Sequence, residues 1–214
     1  MIFLKKVAIF FFDIVDKYIH QKKILNYLKK NLENIEIFFD VGSHRGTYTD
    51  LIINNFKIKK VLMFEHQKII FKFIKKKYIK NKSITVYNQA LSDKKNRQTL
   101  YINKHDLTSS LSKIDKKNRY LNLKALLFGG SINDMVKKKS KVNSSKLSDI
   151  IKKSKIRKID LLKIDTEGHE LQVLKGTGSF LKKNVNCMLI EIHNSPIFIN
   201  YDSKKIHNYL KKNQ

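Results

Sequence analysis

The stretch Ile35-Glu-Ile-Phe-Phe-Asp-Val-Gly-Ser-His-Arg-Gly-Thr-Tyr-Thr-Asp50 decides the fold, because it reads as strand, tight turn and helix. Ile35, Ile37, Phe38, Phe39 and Val41 form a nearly continuous apolar run. A parallel strand buried on both faces requires such a run, whereas an antiparallel strand with one wet face alternates. Gly42 can take a backbone conformation closed to residues with a Cβ. Gly46, at the start of the next helix, lets a ligand or the strand come close to the backbone. Thr47 and Thr49 open the helical pattern.

These glycines make half of a nucleotide-binding fingerprint. In the dinucleotide form, G-x-G-x-x-G, the first glycine makes the tight turn and the helix N-terminus faces a pyrophosphate. Here the first position is Asp40. A carboxylate there suits a ligand with an ammonium group and no phosphate, and S-adenosylmethionine is such a ligand. Asp40, Gly42, Ser43 and Gly46 are therefore the first candidates for a donor site.

A second apolar run, Val61-Leu-Met-Phe64, ends at Glu65, nineteen residues after Gly46. An acidic residue at the tip of the second strand is placed to accept hydrogen bonds from ribose hydroxyls. A lysine-rich helix from Gln67 to Lys80 leads to a third strand, Ile84-Thr-Val-Tyr87, and then to Asn88-Gln-Ala90. Ligands of open α/β sheets bind outside the carboxyl ends of the strands, so Asn88 and Ala90 are candidates near an adenine ring. A plain strand exit fits them equally well.

A chain of 214 residues suits one domain with a sizeable core. The single cysteine, Cys187, sits in the apolar run Cys-Met-Leu-Ile190 and reads as a small buried hydrophobe. No disulfide framework is available, which fits a reducing cytoplasm. The net charge of +27 invites a nucleic-acid partner. Against that, the charge is nearly all lysine, with arginine only at Arg45, Arg97, Arg119 and Arg157, and it is spread through the chain. Arginine is the better residue for bidentate phosphate and base contacts. The charge therefore implies solubility and weak attraction to anionic surfaces, a membrane included, and no specific nucleic acid.

Residues 1–34 read as an N-terminal helical segment packed on the core, and residues 35–214 as the main domain. Val7 to Val15 is apolar but is interrupted by Asp13, well short of the roughly 20 residues needed to span a membrane. Ile24 to Leu32 repeats the helical spacing. Further on, Gln98 to Ile102 alternates like an added strand, and 105–141 is irregular. That segment, with Thr108-Ser-Ser110, Phe128-Gly-Gly-Ser131 and a short helix from Leu121 to Phe128, reads as cover over the acceptor side.

The most specific signal is Ile159-Asp-Leu-Leu-Lys-Ile-Asp-Thr-Glu-Gly-His-Glu-Leu-Gln-Val-Leu-Lys-Gly176. It reads as a strand ending at Asp165, a turn, and a short helix from His169 to Lys175 stopped by Gly176. Asp165 and Glu167 thus stand at the same edge as Gly42 and Glu65, and Glu167 and His169 are assigned to the acceptor side. Read without the donor, Glu167 serves the helix dipole.

With both segments in view, the chain resembles the FkbM-type S-adenosylmethionine-dependent methyltransferases. The resemblance rests on Phe39-Asp-Val-Gly-Ser-His-Arg-Gly46, Phe64-Glu65, Asn88-Gln-Ala-Leu-Ser92 and Leu162-Lys-Ile-Asp-Thr-Glu-Gly-His-Glu170 through Leu174-Lys-Gly176. It implies an α/β fold with a doubly wound, mostly parallel Rossmann-like sheet of the class I methyltransferase type. It also implies methyl transfer to a hydroxyl oxygen and acceptors that are sugars or small metabolites. His66 stands where the family often has proline, and Ser43-His44 replaces its frequent Ala-Asn.

Methyl transfer is an in-line displacement, so the site must orient both partners and take up a hydroxyl proton. Asp165 is the leading candidate for that role. Glu191 and His193, at the end of a fifth strand from Val185 to Ile192, are the other two. Asp165, Glu167, Glu191 and His193 could equally hold a divalent metal, although no short ligand spacing singles one out. Two readings compete with the enzyme: a basic protein that binds or modifies nucleic acid, and a catalytically inactive scaffold of the same fold. After the fifth strand only a helix from Ser203 to Leu210 is read, which leaves that strand near a sheet edge without room for the last antiparallel strands. The expected consequence is either a truncated form of reduced solubility or a homodimer that buries the edge.

Overall fold

Strand β1, Ile37–Val41, lies at the centre of the molecule, and its side chains divide between two cores. In this computed structural model the described residues are 19–103, 109–127, 131–132, 136–193 and 197–213. The expectations placed on residues 1–18, His105, Thr108, Phe128-Gly-Gly130 and Asn194-Ser-Pro196 lie outside them.

The chain runs α1 (Gln21–Asn31), β1, α2 (Thr47–Ile53), β2 (Lys60–Phe64), α3 (Lys68–Lys77), β3 (Ile84–Tyr87), β4 (Ala90–Leu91) and β5 (Arg97–Asn103). It continues through α4 (Arg119–Leu127), β6 (Val136–Ser145), α5 (Leu147–Lys153), β7 (Ile159–Ile164), α6 (Glu170–Thr177), α7 (Phe180–Asn184), β8 (Val185–Ile190) and α8 (Ser203–Lys212). Five strands form one sheet in the order β3-β2-β1-β7-β8, and every pairing in it is parallel. Parallel neighbours need a crossover, and the helices between strands supply it.

Successive residues of a strand point to opposite faces, and the apolar runs fill both. Phe38, Val61, Met63 and Leu161 pack on one face against Leu28 of α1, Ile52 of α2 and Ile74 of α3. Phe39, Leu62, Phe64, Leu162 and Ile164 pack on the other against Leu147 and Ile151 of α5, Val173 and Leu174 of α6, and Ile206 of α8. Truncating a buried phenylalanine such as Phe38 to alanine in a core of this kind costs about 3–5 kcal/mol. Among the described residues no helix is long and apolar enough to cross a membrane.

Two expectations need correction. The segment 105–141 is not irregular throughout, because β6 begins at Val136 and pairs antiparallel with β5 from Arg97↔Asn143 to Asn103↔Val136. Its sequence Lys-Lys-Lys-Ser-Lys141 lacks apolar alternation, since this small sheet, ordered β4-β6-β5, exposes much of its surface and is held by backbone pairing. The helix after β7 also does not stop at Gly176. It runs to Thr177, and Gly178, with φ +61°, ends it. Gly176 is glycine because a Cβ there would lie 2.2 Å from the Ser92 carbonyl oxygen, so α6 packs directly on the chain leaving β4.

Candidate active site

The strand order reverses between β1 and β7, and at such a switch point the loops leaving the two strands separate and open a crevice. A cleft occupies that place. Gly42, Ser43 and His44 line it after β1, and Glu65 and His66 after β2. Lys163 from β7, Asp165 to Glu167 beyond it, and Glu191 beyond β8 complete the wall.

Glu65 is a buried carboxylate of the cleft, 2% exposed. One oxygen accepts from the His44 amide at 3.0 Å and the other from the Gln67 amide at 2.6 Å. A carboxylate has about four lone-pair sites, so further donors can still be accommodated. Asn88 does not line the cleft. Its amide donates to the Glu65 and His66 carbonyls and braces the strand end that carries Glu65. Ala90 is buried in β4 and borders a smaller adjoining pocket with Gly42, His66 and His169.

The two glycines answer to protein neighbours. Gly42 has φ +76°, and a Cβ there would lie 1.7 Å from the Asp165 carbonyl oxygen. Gly46 has φ +78°, and a Cβ there would lie 2.4 Å from the Tyr78 hydroxyl, which donates to the Gly46 carbonyl at 2.9 Å. The close approach expected of a ligand or strand at Gly46 is made by a tyrosine just beyond α3. Ser43 is buried, and its amide and hydroxyl both donate to the Phe64 carbonyl, tying the β1 turn to the end of β2.

Asp40 also differs from its expected role. It is fully buried beneath the cleft and does not line it. Thr49 donates to it at 2.7 Å, and the Lys163 ammonium lies 3.2 Å away. Its charge is met inside the protein, so the carboxylates that face the cleft are Glu65, Asp165, Glu167 and Glu191.

Lys163 is the functional residue that sequence reasoning passed over. A lysine inside the apolar run Leu-Leu-Lys-Ile164 was the available signal, because buried ammonium groups require partners. It bridges Asp40 and Asp165, each at 3.2 Å, with its ammonium 4.9 Å from the Tyr48 ring centre. Burial works against its charge, but Asp165 and Asp40 together hold its pKa above the usual lysine range.

Around Asp165 the acidic groups share charge and protons. Burial opposes ionisation of Asp165, yet Lys163 and a hydrogen bond with Glu191 hold its pKa below the ordinary value. Glu191 moves the other way. Burial and the neighbouring Asp165 charge push it up to about 10, so at neutral pH it carries the proton of the pair. His193 is lowered by burial, with Asp165 opposing. Its Nε2 lies 3.7 Å from Glu167 and 3.9 Å from Glu191. Asp165, Glu167, Glu191 and His193 are thus brought together, from the ends of β7 and β8.

His169 is not among them. It is 8% exposed, its Nε2 sits 3.0 Å from the Ser92 hydroxyl, and burial lowers its pKa to about 4. A neutral imidazole tying α6 to the chain after β4, it borders the smaller pocket and not the Asp165–Glu191 side of the cleft, where the acceptor-side expectation puts it.

The family model described as "Methyltransferase FkbM domain" matches residues 40–214, which takes in the cleft residues contributed by the strand ends of the sheet. The chain belongs to the FkbM methyltransferase family. Among solved structures, this FkbM chain is similar to methyltransferase FkbM from Methylobacillus flagellatus KT, with a TM-score of 0.54 and 17% identity. The match covers 85% of this chain and 38% of that one, so the present chain spans about two fifths of that protein's length. At this identity the likeness speaks for the shared fold. A search of curated proteins finds no match.

Proposed function

We propose that this chain transfers a methyl group from S-adenosylmethionine to a hydroxyl oxygen of a sugar or other small metabolite. The observation that carries the reading is that a single cleft at the switch point has Glu65 at one side and the Asp165–Glu191 pair at the other. The residues present fit such a donor. Glu65 offers a buried carboxylate to ribose hydroxyls, and the Gly42-Ser43-His44 turn offers main chain at close range. A smaller pocket bordered by Ala90 and His66 adjoins it beside Gly42.

When bound, the donor supplies an electrophilic methyl on a sulfonium. The chain's own residues do the rest. Asp165, kept ionised by Lys163, accepts a hydrogen bond from the acceptor hydroxyl and orients its lone pair. Glu191, sharing a proton with Asp165, gives the released proton a route away from the reacting oxygen. Lys163 in the cleft wall and Asp40 beneath it are both buried, which limits the water that competes for this arrangement.

A calorimetric titration with S-adenosylmethionine and its demethylated product, followed by labelled methyl transfer to a panel of sugars and hydroxylated metabolites, tests the reading. Saturable binding and label in a hydroxylated acceptor are expected. Absence of donor binding would favour an inactive scaffold, and transfer only to nucleic acid would favour the basic-protein reading.

A further inference from the structure

We propose that Glu167, Glu191 and His193 form a binding site for a divalent first-row cation of the Mn2+ type at the acceptor end of the cleft. One ligand atom from each of the three residues lies within 4.8 Å of the other two. The individual separations are informative. Glu167 Oε2 and Glu191 Oε2 stand 3.7 and 3.9 Å from His193 Nε2, too far apart for hydrogen bonds. Ligands about 2.1 Å from a common ion lie about 3.0–4.2 Å apart, depending on geometry. Both separations to His193 fall within that range.

Two further observations support a built site. The His193 Nε2 atom is buried and makes no hydrogen bond in the described structure. Its ring is held between Phe198, at 5.4 Å, and Tyr201, at 5.5 Å, and the Tyr201 hydroxyl accepts from the His193 amide at 2.8 Å. These contacts fix the position of the ring. Glu167 is a non-glycine residue with φ +54°, a conformation that persists only where the surroundings enforce it. Here Ser110 donates to the Glu167 carbonyl at 2.5 Å, Ser112 donates to the Gly168 carbonyl at 2.7 Å, and Phe198 packs on Gly168.

The donor set chooses the class of ion. Two carboxylates and one imidazole, with the Glu191 proton released to solvent on binding, are a mixed set that suits Mn2+ better than soft-ligand metals, and three protein ligands leave positions free for outside oxygens. Glu167 and Glu191 line the same cleft as Asp165, so an ion held there would be reachable from it. If the proposed acceptor chemistry holds, a diol or hydroxy acid could occupy the free positions.

The test is titration of the full chain with Mn2+, followed by the paramagnetic resonance signal of the free ion, with melting curves recorded for each variant. Wild type should take up one ion per chain. Glu167→Gln, Glu191→Gln and His193→Gln should each weaken uptake roughly tenfold or more, the loss that even supporting residues of a metal site cause. The glutamine at position 193 is chosen to keep a side chain between the two rings. No saturable uptake by wild type, or uptake that survives any one of the three substitutions in a folded protein, overturns the proposal. The measurement needs no methyl donor or acceptor, so its outcome is separate from that of the methyl-transfer reading.

Discussion

Lys163 and Asp40 face each other across the β1–β7 ladder as register partners, with Nζ and Oδ1 3.2 Å apart and 5% and 0% of their side chains exposed. Two charges this deeply buried depend on each other, because removing one strands the other in a low-dielectric interior. Lys163→Met should therefore cost about 3–5 kcal/mol of folding stability. Urea unfolding checks it, and a loss of less than about 1 kcal/mol, the range of a surface pair, would mean that water reaches Asp40.

Glu65→Ala should weaken binding of the methyl donor by about 1–3 kcal/mol, the usual cost of leaving buried hydrogen-bonding groups without a partner. The His44 and Gln67 amides lose their acceptor in the same variant, so calorimetry should be accompanied by a melting curve. Unchanged donor affinity would remove Glu65 from the ribose assignment.

Asp165→Asn should lower turnover by roughly a hundredfold, within the range seen when a positioned base is lost, while donor binding persists. Equal loss of both would place Asp165 against the donor's methionine end. Full turnover would make it a structural partner of Lys163.

Acid should act on Asp160. Burial disfavours its charge, but Lys158 and the amides of Ile37 and Glu36 lower its pKa below 3.8. A depressed folded-state value means that the carboxylate's contribution is present above the unfolded pKa and lost as pH falls through the folded one. Stability should then decline from about pH 4 downward, and Asp160→Asn should flatten that part of the curve. Chemical denaturation between pH 2 and pH 6 measures the slope, and identical slopes for the two proteins would contradict the assignment.

Strand β8 pairs only with β7 among the described residues, leaving its other edge available. An open apolar edge recruits another strand. The purified chain is expected to form dimers through it, with slow amide exchange along residues 187–192. Light scattering that reports monomers at all concentrations would exclude this.

The legible parts of the fold were those where one residue type has one use. Phe38, Phe39 and Val41, interrupted only by Asp40, identify a strand buried on both faces, and β2 reads the same way. The carboxyl-edge placement of Glu65, Asp165, Glu167 and Glu191 followed from the strand ends. Asp40 was misread because its partner is 123 residues away, and a carboxylate after an apolar run looks alike whether it faces a ligand or a buried lysine. Strand β6 was missed because its lysines carry no burial pattern. His169 could not be separated from an acceptor residue until the position of Ser92 was known.

The contact between Gly42 and Asp165 has a wider consequence. The Asp165 amide donates to the Val41 carbonyl at 3.0 Å, and the Asp165 carbonyl occupies the space that a side chain at position 42 would need. The donor turn and the backbone of Asp165 are thus joined main chain to main chain, without an adjustable side chain between them. Under the proposed methyl transfer this seam is a fixed gauge between the Gly42 turn and Asp165, and a change in acceptor would fall to the opposite wall of the cleft.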